Sequence, residues 1–214
     1  MGTLKFTKMH GCGNDYVYFD CFSQNIVDPD DLSIRLSDRH KGVGGDGIIM
    51  VCPSDIADGR MRIFNADGSE AMMCGNGIRC VAKFLYDTGL AHKKHLEIDT
   101  LSGVKYCDII EKNGEAVAVT VDMGRAELVP GRIPVSLPGE RIVGETVSVA
   151  GGEYEVTCVS MGNPHCVLFG GDPMELDLET VGPMFEKDPI FPQGVNTEFI
   201  EVIDSHTLKM RVCE

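Results

Sequence analysis

The segment GNDYVYF (residues 13–19) decides the fold, because it opens a pattern that the second half of the chain repeats. Its Gly-Asn pair and the apolar run after it return as GNPHCVLF at residues 162–169. Two later matches follow in the same order: GVG before IIMV (residues 42–51) with GVN before FIEV (residues 194–202), and MRIFN (residues 61–65) with MRVCE (residues 210–214). Met61 lies 48 positions after Gly13, and Met210 lies 48 positions after Gly162. These matches predict two copies of one structural unit.

Short β-rich runs dominate both halves of the chain. Strands are predicted at residues 4–9, 16–20, 47–51, 61–65, 96–101, 104–110 and 116–122, and then at 143–149, 154–160, 166–169, 197–203 and 208–212. Helices are predicted at residues 30–40, 78–86 and 174–185. Ser102-Gly103 and Asn113-Gly114 are typical hairpin turns. Residues 130–139 hold three prolines and two glycines, which indicates a crossover within 122–140 and hence lobes at 1–122 and 123–214.

Composition and charge exclude several classes of protein. Hydrophobic residues make up 43% of the chain and charged residues 24%, as in ordinary globular proteins. The net charge of −14, without a run of Lys or Arg, disfavours binding to nucleic acid. No apolar stretch is long enough to span a membrane, and the N-terminus lacks an apolar signal core, so a cytoplasmic protein is expected. Nine cysteines without a Cys-x-x-Cys pair predict reduced thiols rather than a disulfide frame or a zinc site.

The segment MCGNG (residues 73–77) carries the candidate chemistry, because it precedes the predicted helix at 78–86. A free cysteine thiol has a pKa of about 8.5, and a helix N-terminus lowers it, so such a thiol can both take and give a proton. Gly75 and Gly77 leave the N–H groups of the helix start open to a carboxylate. Cys74 is therefore a candidate acid/base for the Cα of an amino acid. The alternative is a buried cysteine without a chemical role, which is how we interpret the other cysteines.

The repeat gives the proposed thiol a partner at a defined position. Cys74 lies 13 residues after Met61, so its counterpart in the second lobe is expected near position 223, past Glu214. Two thiols on opposite faces of one carbon could invert it, one removing a proton while the other delivers one.

Polar residues at the landmarks of the repeat are candidates for contact with substrate. The amides Asn14, Asn65, Asn163 and Asn196 suit a zwitterionic amino-acid end, although each could simply form a turn. His165 either tunes the thiols or is a satisfied loop histidine. Glu214, which aligns with Asn65, could accept a hydrogen bond from an ammonium group.

Two cofactor interpretations are not supported by the sequence. The segment GVGGDG (residues 42–47) lacks the Lys-Ser/Thr ending of a nucleotide-binding P-loop and precedes a predicted strand, not a helix. No lysine lies in a context typical of a Schiff base, so pyridoxal phosphate is not implied. We expect no cofactor and no metal.

Several motifs together resemble those of the diaminopimelate epimerase family over essentially the whole chain. They are GCGND (residues 11–15), DRH and GVG (38–40 and 42–44), NADGS (65–69), MCGNG with Arg79, and GNPH (162–165). The resemblance implies an α/β (α+β) fold of two pseudo-symmetric lobes, each a β-barrel-like sheet around a central helix. It also implies interconversion of LL- and meso-diaminopimelate without a cofactor, on the bacterial route to lysine and peptidoglycan, and a possible homodimer.

The resemblance also implies roles for individual residues. Cys74 is one catalytic acid/base, and His165 and Glu214 tune the thiols or the substrate. The residues implied to contact substrate are Asn14, Asn65, Gly75, Asn76, Asn163, Asn196 and Glu214.

The family continues after its match to Glu214 with an Ala-Cys-Gly-Thr-Gly block that bears the second thiol. We therefore expect the C-terminal lobe to be incomplete within these 214 residues and this chain alone to be inactive. The alternatives are a non-catalytic remnant or binding module, and another cofactor-independent amino-acid racemase.

Overall fold

A computed structural model describes residues 3–213, which form two compact units that divide between Met123 and Gly124. Both units combine helices with a β-sheet, so the predicted mixed α/β class is confirmed. Within the described residues, no helix is both long and apolar enough to cross a membrane.

The first unit contains eight strands and two α-helices. In chain order they are β1 (Thr7–Gly11), β2 (Asn14–Asp20), α1 (Pro29–Ser37), β3 (Gly47–Cys52), β4 (Gly59–Asn65), β5 (Glu70–Ala71), α2 (Gly75–Asp87), β6 (His95–Asp99), β7 (Lys105–Lys112) and β8 (Glu115–Asp122). The sheet has the order β1-β2-β3-β4-β6-β7-β8, and β5 pairs with β4. Helix α2 contacts both outer strands, β1 and β8, so the sheet curls around it.

Strand β3 is buried on both faces, and its alternating side chains divide the first unit into two cores. Ile49 and Val51 point into the cluster around α2, whose Ile78, Val81 and Leu85 are fully buried. Ile48 and Met50 point to the opposite face and belong to a second cluster, against which Leu32 and Leu36 of α1 pack. The continuous apolar run of β3 therefore reflects a strand covered by a helix on each side.

The second unit contains five strands and one α-helix. They are β9 (Glu145–Val149), β10 (Gly152–Ser160), β11 (Pro164–Phe169), α3 (Leu178–Glu186), β12 (Asn196–Asp204) and β13 (Thr207–Cys213), with 3₁₀ turns at Pro130–Arg132 and Pro173–Glu175. The sheet has the order β13-β12-β11-β10-β9. Phe185 of α3 is fully buried, and its ring lies 5.8 Å from that of Phe199 and 5.0 Å from that of Tyr154.

The helix predicted at residues 174–185 is present only from Leu178, as α3, so its predicted start is wrong. The segment is a 3₁₀ turn, an extended residue at Leu176 (φ −78°, ψ 135°) and then α3. Asp172 accepts a hydrogen bond from the Met174 N–H and starts the turn, and Pro173 fixes its backbone. The range predicted as one helix therefore contains two elements. The short strand β5 was not predicted.

The repeat is present in the pairing of the strands. Strands β1 to β4 pair antiparallel, parallel and antiparallel, and β10 to β13 pair in the same three ways. Tyr16 lies opposite Gly47, and His165, 149 positions after Tyr16, lies opposite Asn196, 149 positions after Gly47. The pairing of Val51 with Met61 also has a counterpart 149 positions later, which is the pairing of Ile200 with Met210.

This constant offset corrects one of the three sequence matches. The similarity of GVG and GVN aligned Gly44 with Asn196, whereas the strand register makes Gly47 the counterpart of Asn196. The outer two matches already had the offset of 149. The middle match misled because the loop before β3 is Gly-rich and offers several similar alignments.

Candidate active site

Cys74 is the N-cap residue of α2. Its backbone is extended (φ −136°, ψ 116°), and its Sγ accepts a hydrogen bond from the Gly77 N–H at 3.3 Å. The helix begins at Gly75, three residues before the predicted start, and this earlier start is what makes Cys74 the cap. A Cβ on Gly77 would lie 2.7 Å from Ile49 Cδ1, so a glycine lets the helix start approach β3. The sulfur is half-buried and has a backbone N–H aimed at it.

Asn14 reaches Cys74 because of the β1–β2 hairpin. Cys12 and Gly13 form its two-residue turn with φ of 55° and 95°, which matches the type I′ turn that favours tight hairpins. A Cβ on Gly11 would lie 2.8 Å from the carbonyl oxygen of Asn76, so the hairpin packs closely on the start of α2. Asn14 Nδ2 consequently donates to Cys74 Sγ at 3.8 Å. Asn14 Oδ1 is buried and has no hydrogen-bond partner in the part of the chain described.

Arg79 ties the hairpin turn to the helix start. Its Nη2 donates to Asn76 Oδ1 at 2.6 Å and to Cys12 Sγ at 3.4 Å. Asn76 therefore has its amide oxygen engaged, and Cys12 is an exposed turn residue. The packing role expected for Cys12 is wrong, because the turn directs it away from the core.

Asn65 is the last residue of β4, and it lies directly opposite Gly47, the first residue of β3. Asn14, the first residue of β2, lies at the same end of the sheet. Its Nδ2 donates to Ser69 Oγ at 3.1 Å, and its backbone N–H donates to the Ser69 carbonyl at 2.9 Å. Asn65 thus closes the turn that leads through β5 toward Cys74. A Cβ on the adjacent Gly47 would collide with the carbonyl oxygen of Phe64, so a side chain at that position is excluded by the close approach of β4.

Asp15, the residue after Asn14, is held by a network of charged side chains that was not predicted from the sequence. Asp15 accepts from Arg39 at 2.8 Å and pairs with Lys8 at 2.6 Å, and its N–H donates to Asp46 Oδ2 at 2.8 Å. Lys8 also donates to the carbonyl oxygen of Gly44. The hydrogen bond from Arg39 holds the pKa of Asp15 well below its usual value; burial opposes this and Lys8 reinforces it.

The second unit brings together its own predicted polar residues. His165 lies directly opposite Asn196 in the parallel pair β11–β12, and its Nε2 lies 2.9 Å from Oδ1 of the exposed Asn163. His165 Nδ1 lies 2.6 Å from Glu198 Oε1. The Glu198 side chain is only 12% exposed, and its Oε2 has no partner among residues 3–213. Sequence reasoning missed Glu198, although its place two residues after Asn196 on a strand puts it on the same face.

The last two residues of the chain are a predicted site residue, Glu214, and a cysteine without a predicted role, Cys213. Glu214 is outside the described residues. Cys213 is half-buried on β13, and a Cβ on Gly182 of α3 would overlap its sulfur, so the Cys213 thiol packs against that helix. Burial, with Glu186 nearby, raises the pKa of Cys213. In the described ranges, no group of three His, Cys, Asp or Glu side chains has the arrangement of a metal site.

Comparison with known proteins places the chain in a family. The sequence model described as diaminopimelate epimerase matches residues 6–129. Diaminopimelate epimerase of Acetivibrio thermocellus is 48% identical over 211 residues, which cover 99% of this chain and 75% of that protein. The enzyme of Agathobacter rectalis is 50% identical over 218 residues, with 99% and 76% covered.

Solved structures with the same fold are more distant in sequence. A probable proline racemase from Agrobacterium radiobacter K84 superposes with a TM-score of 0.71 at 13% identity, over 99% of this chain and 70% of that one. A hydroxyproline epimerase from Agrobacterium vitis superposes with a TM-score of 0.65 at 13% identity, over 98% and 69%. At this identity the likeness concerns the fold alone, whereas the family match and the identity of 48–50% show that the chain belongs to the diaminopimelate epimerase family of isomerases.

Proposed function

We propose that this protein interconverts LL- and meso-diaminopimelate by acid–base chemistry at Cα, with Cys74 as one of two thiols. The observation that carries the proposal is the Cys74 sulfur at the start of α2, with donors from the Gly77 N–H and the Asn14 amide. Both donors can stabilise a thiolate without blocking its access to a substrate proton. The choice of diaminopimelate rests on the relatives that carry that name at 48–50% identity.

In this mechanism the Cys74 thiolate removes or the Cys74 thiol delivers the Cα proton on one face of the substrate. A second thiol does the reverse on the other face, so the configuration inverts and no proton is lost overall. The offset of 149 between repeat counterparts predicts the second thiol at position 223, which lies past the 214 residues of this chain. Such chemistry needs only the two thiols, and we propose no cofactor.

We also propose which groups contact the substrate. The N–H groups of Gly75 and Asn76 lie in the first turn of α2, where a helix leaves its donors without intrahelical partners, and such donors suit the α-carboxylate. Asn14 Oδ1, buried without a partner in the described chain, is an acceptor suited to an ammonium N–H. We propose Asn65, Asn163 and Asn196 as further polar contacts.

His165 and Glu214 are proposed to tune the charge near the reacting atoms. We further propose a cytoplasmic location, and a homodimer as the family resemblance implies.

The test is epimerisation of LL-diaminopimelate in heavy water. The protein is extended past Glu214 by the closing quarter of the Acetivibrio thermocellus relative, and it is compared with its Cys74→Ser variant. We expect meso product with deuterium at Cα, and a loss of about 100-fold or more in the variant. Cys21→Ser, at the far end of β2, is the matched control and is expected to retain activity. Unchanged turnover in Cys74→Ser would refute the assignment, and binding of substrate without any turnover would favour a binding module.

A further inference from the structure

Cys21 and Cys52 lie opposite each other at the ends of two neighbouring parallel strands. Asp20 pairs with Val51 in the β2–β3 register, and the Cys21 N–H donates to the carbonyl oxygen of Val51 at 2.8 Å. In a parallel pair this hydrogen bond places Cys21 across from the residue after Val51, which is Cys52. Neighbouring strands are about 4.8 Å apart, within the range of Cα separations that a disulfide spans.

The two side chains share a face of the sheet. Both are half-buried and pack against the cluster of Val17, Phe19, Ile48 and Met50. Both thiols are reduced, and the register places them at adjacent positions of neighbouring strands. Cys21 and Cys52 are therefore a vicinal dithiol that solvent reaches in part.

The surroundings make the two thiols unequal. Interaction with Cys21 lowers the pKa of Cys52, and the guanidinium groups of Arg62 and Arg60 lower it further, against the effect of burial. The same interaction, together with burial, raises the pKa of Cys21. Arg60 also lies directly opposite Cys52 in the β3–β4 register, and a guanidinium beside a thiol favours its thiolate, so we assign Cys52 as the attacking thiol and Cys21 as its partner.

We propose that Cys21 and Cys52 form a modification site at which a small hydroperoxide converts the two thiols into a disulfide. The Cys52 thiolate attacks the distal peroxide oxygen, the O–O bond breaks, and with one proton the products are a Cys52 sulfenic acid and, from hydrogen peroxide, water. The Cys21 sulfur then attacks the Cys52 sulfur, and the S–O bond breaks. The hydroxide that leaves takes the Cys21 proton and becomes a second water.

This site is separate from Cys74. Asn14 and Gly47 begin β2 and β3, whereas Cys21 and Cys52 lie at the opposite ends, about 20 Å away at the rise of a β-strand. The repeat does not duplicate the pair, because the counterparts with the offset of 149 are Gly170 and Glu201. The dithiol is thus a feature of the first unit and not a part of the duplicated half-site.

The second unit supplies an internal control. Cys158 and Cys166 are directly opposite in the antiparallel pair β10–β11, and both are fully buried. A peroxide that reacts with the folded protein can reach Cys21 and Cys52 but not this second pair.

The experiment treats the folded protein with hydrogen peroxide, alkylates the remaining thiols and maps the digested peptides by mass spectrometry. We expect a peptide linked through Cys21 and Cys52, lighter by two hydrogen atoms than the reduced pair, while Cys158 and Cys166 stay alkylated. In Cys21→Ser the sulfenic acid on Cys52 is expected to persist and to be trapped by dimedone. In Cys52→Ser, Cys21 is expected to stay reduced.

Two results would overturn the proposal. One is oxidation of Cys12 or Cys74 without any Cys21–Cys52 linkage. The other is linkage of Cys158 with Cys166 at the same rate, which would mean that the peroxide acts on an unfolded chain.

If a serine variant does not fold, the order of reaction is read in the unsubstituted protein, where dimedone is expected to label Cys52 before Cys21. Labelling of Cys21 first would contradict the assigned roles.

Discussion

At the scale of single residues, the hydrogen bond from Asn14 Nδ2 to Cys74 Sγ gives the most direct prediction. Asn14→Asp keeps the shape of the side chain but replaces the donor with a negative charge that repels a thiolate. The rate of epimerisation in the extended protein is expected to fall about 100-fold, as for the loss of one preorganised donor.

The matched control is Asn113→Asp, in the exposed β7–β8 hairpin turn, where φ is 57° and aspartate is also tolerated. This variant is expected to have normal kinetics. If both variants have the same rate of epimerisation and unchanged melting temperatures, the assignment of Asn14 to the site is contradicted.

Glu198 is predicted to position His165. Its Oε1 lies 2.6 Å from His165 Nδ1, so the carboxylate selects the form of the ring that carries a proton on Nδ1. Glu198→Gln removes the charge and is expected to lower kcat about 10-fold, with the Nδ1–H signal of His165 weakened or lost in nitrogen NMR. Glu201→Gln, three residues along β12, is the control. A lowered kcat with an unchanged Nδ1–H signal would indicate a different role for Glu198.

At the scale of elements, the network around Asp15 joins β1, β2, the turn after α1 and the Gly-rich segment at residues 42–47. Because Arg39 and Lys8 lower the pKa of Asp15 in the folded state, ionised Asp15 stabilises the fold. That contribution is complete above the usual pKa of 3.8 and is lost as the pH falls below it, toward the lower pKa of the folded state. Solvent screens the exposed Arg39, so we expect a contribution of about 1 kcal/mol.

The measurement is urea unfolding of the protein and of Asp15→Asn across this range of pH. The two should differ by a constant free energy of unfolding at neutral and mildly acidic pH and should converge below about pH 4. Asp55→Asn, at an exposed loop position, is expected to match the unsubstituted protein throughout. A difference that grows with acidity would contradict a lowered pKa for Asp15 in the folded state.

The elements also show which parts of the fold can be predicted from the chain. The Asn113-Gly114 turn was predicted because its two positive φ angles, 57° and 87°, demand those residue types locally. The Asp15 network and Glu198 were missed, because their contacts depend on strand register over 31 and 33 positions. The predicted start of the helix at 174–185 was wrong for a local reason, since Asp172 caps a separate 3₁₀ turn that ends before the extended Leu176.

At the scale of the whole molecule, the constant offset of 149 gives the repeat a predictive use. It pairs Gly47 with Asn196 and Asn65 with Glu214, so a glycine excluded from bearing a side chain in one unit corresponds to an amide in the other. The two copies therefore share a backbone while their polar groups differ.

The offset also decides how the 214-residue polypeptide should behave by itself. Among residues 3–213, Cys74 is the thiol that caps an α-helix, and the proposed second thiol has position 223 in the repeat. We predict no meso product from LL-diaminopimelate, while the polypeptide extended by the closing quarter of the Acetivibrio thermocellus relative turns over. Circular dichroism of both proteins controls for folding. Meso product from the unextended polypeptide would show that the second acid/base group lies within these 214 residues, and Cys213 would be the first residue to substitute.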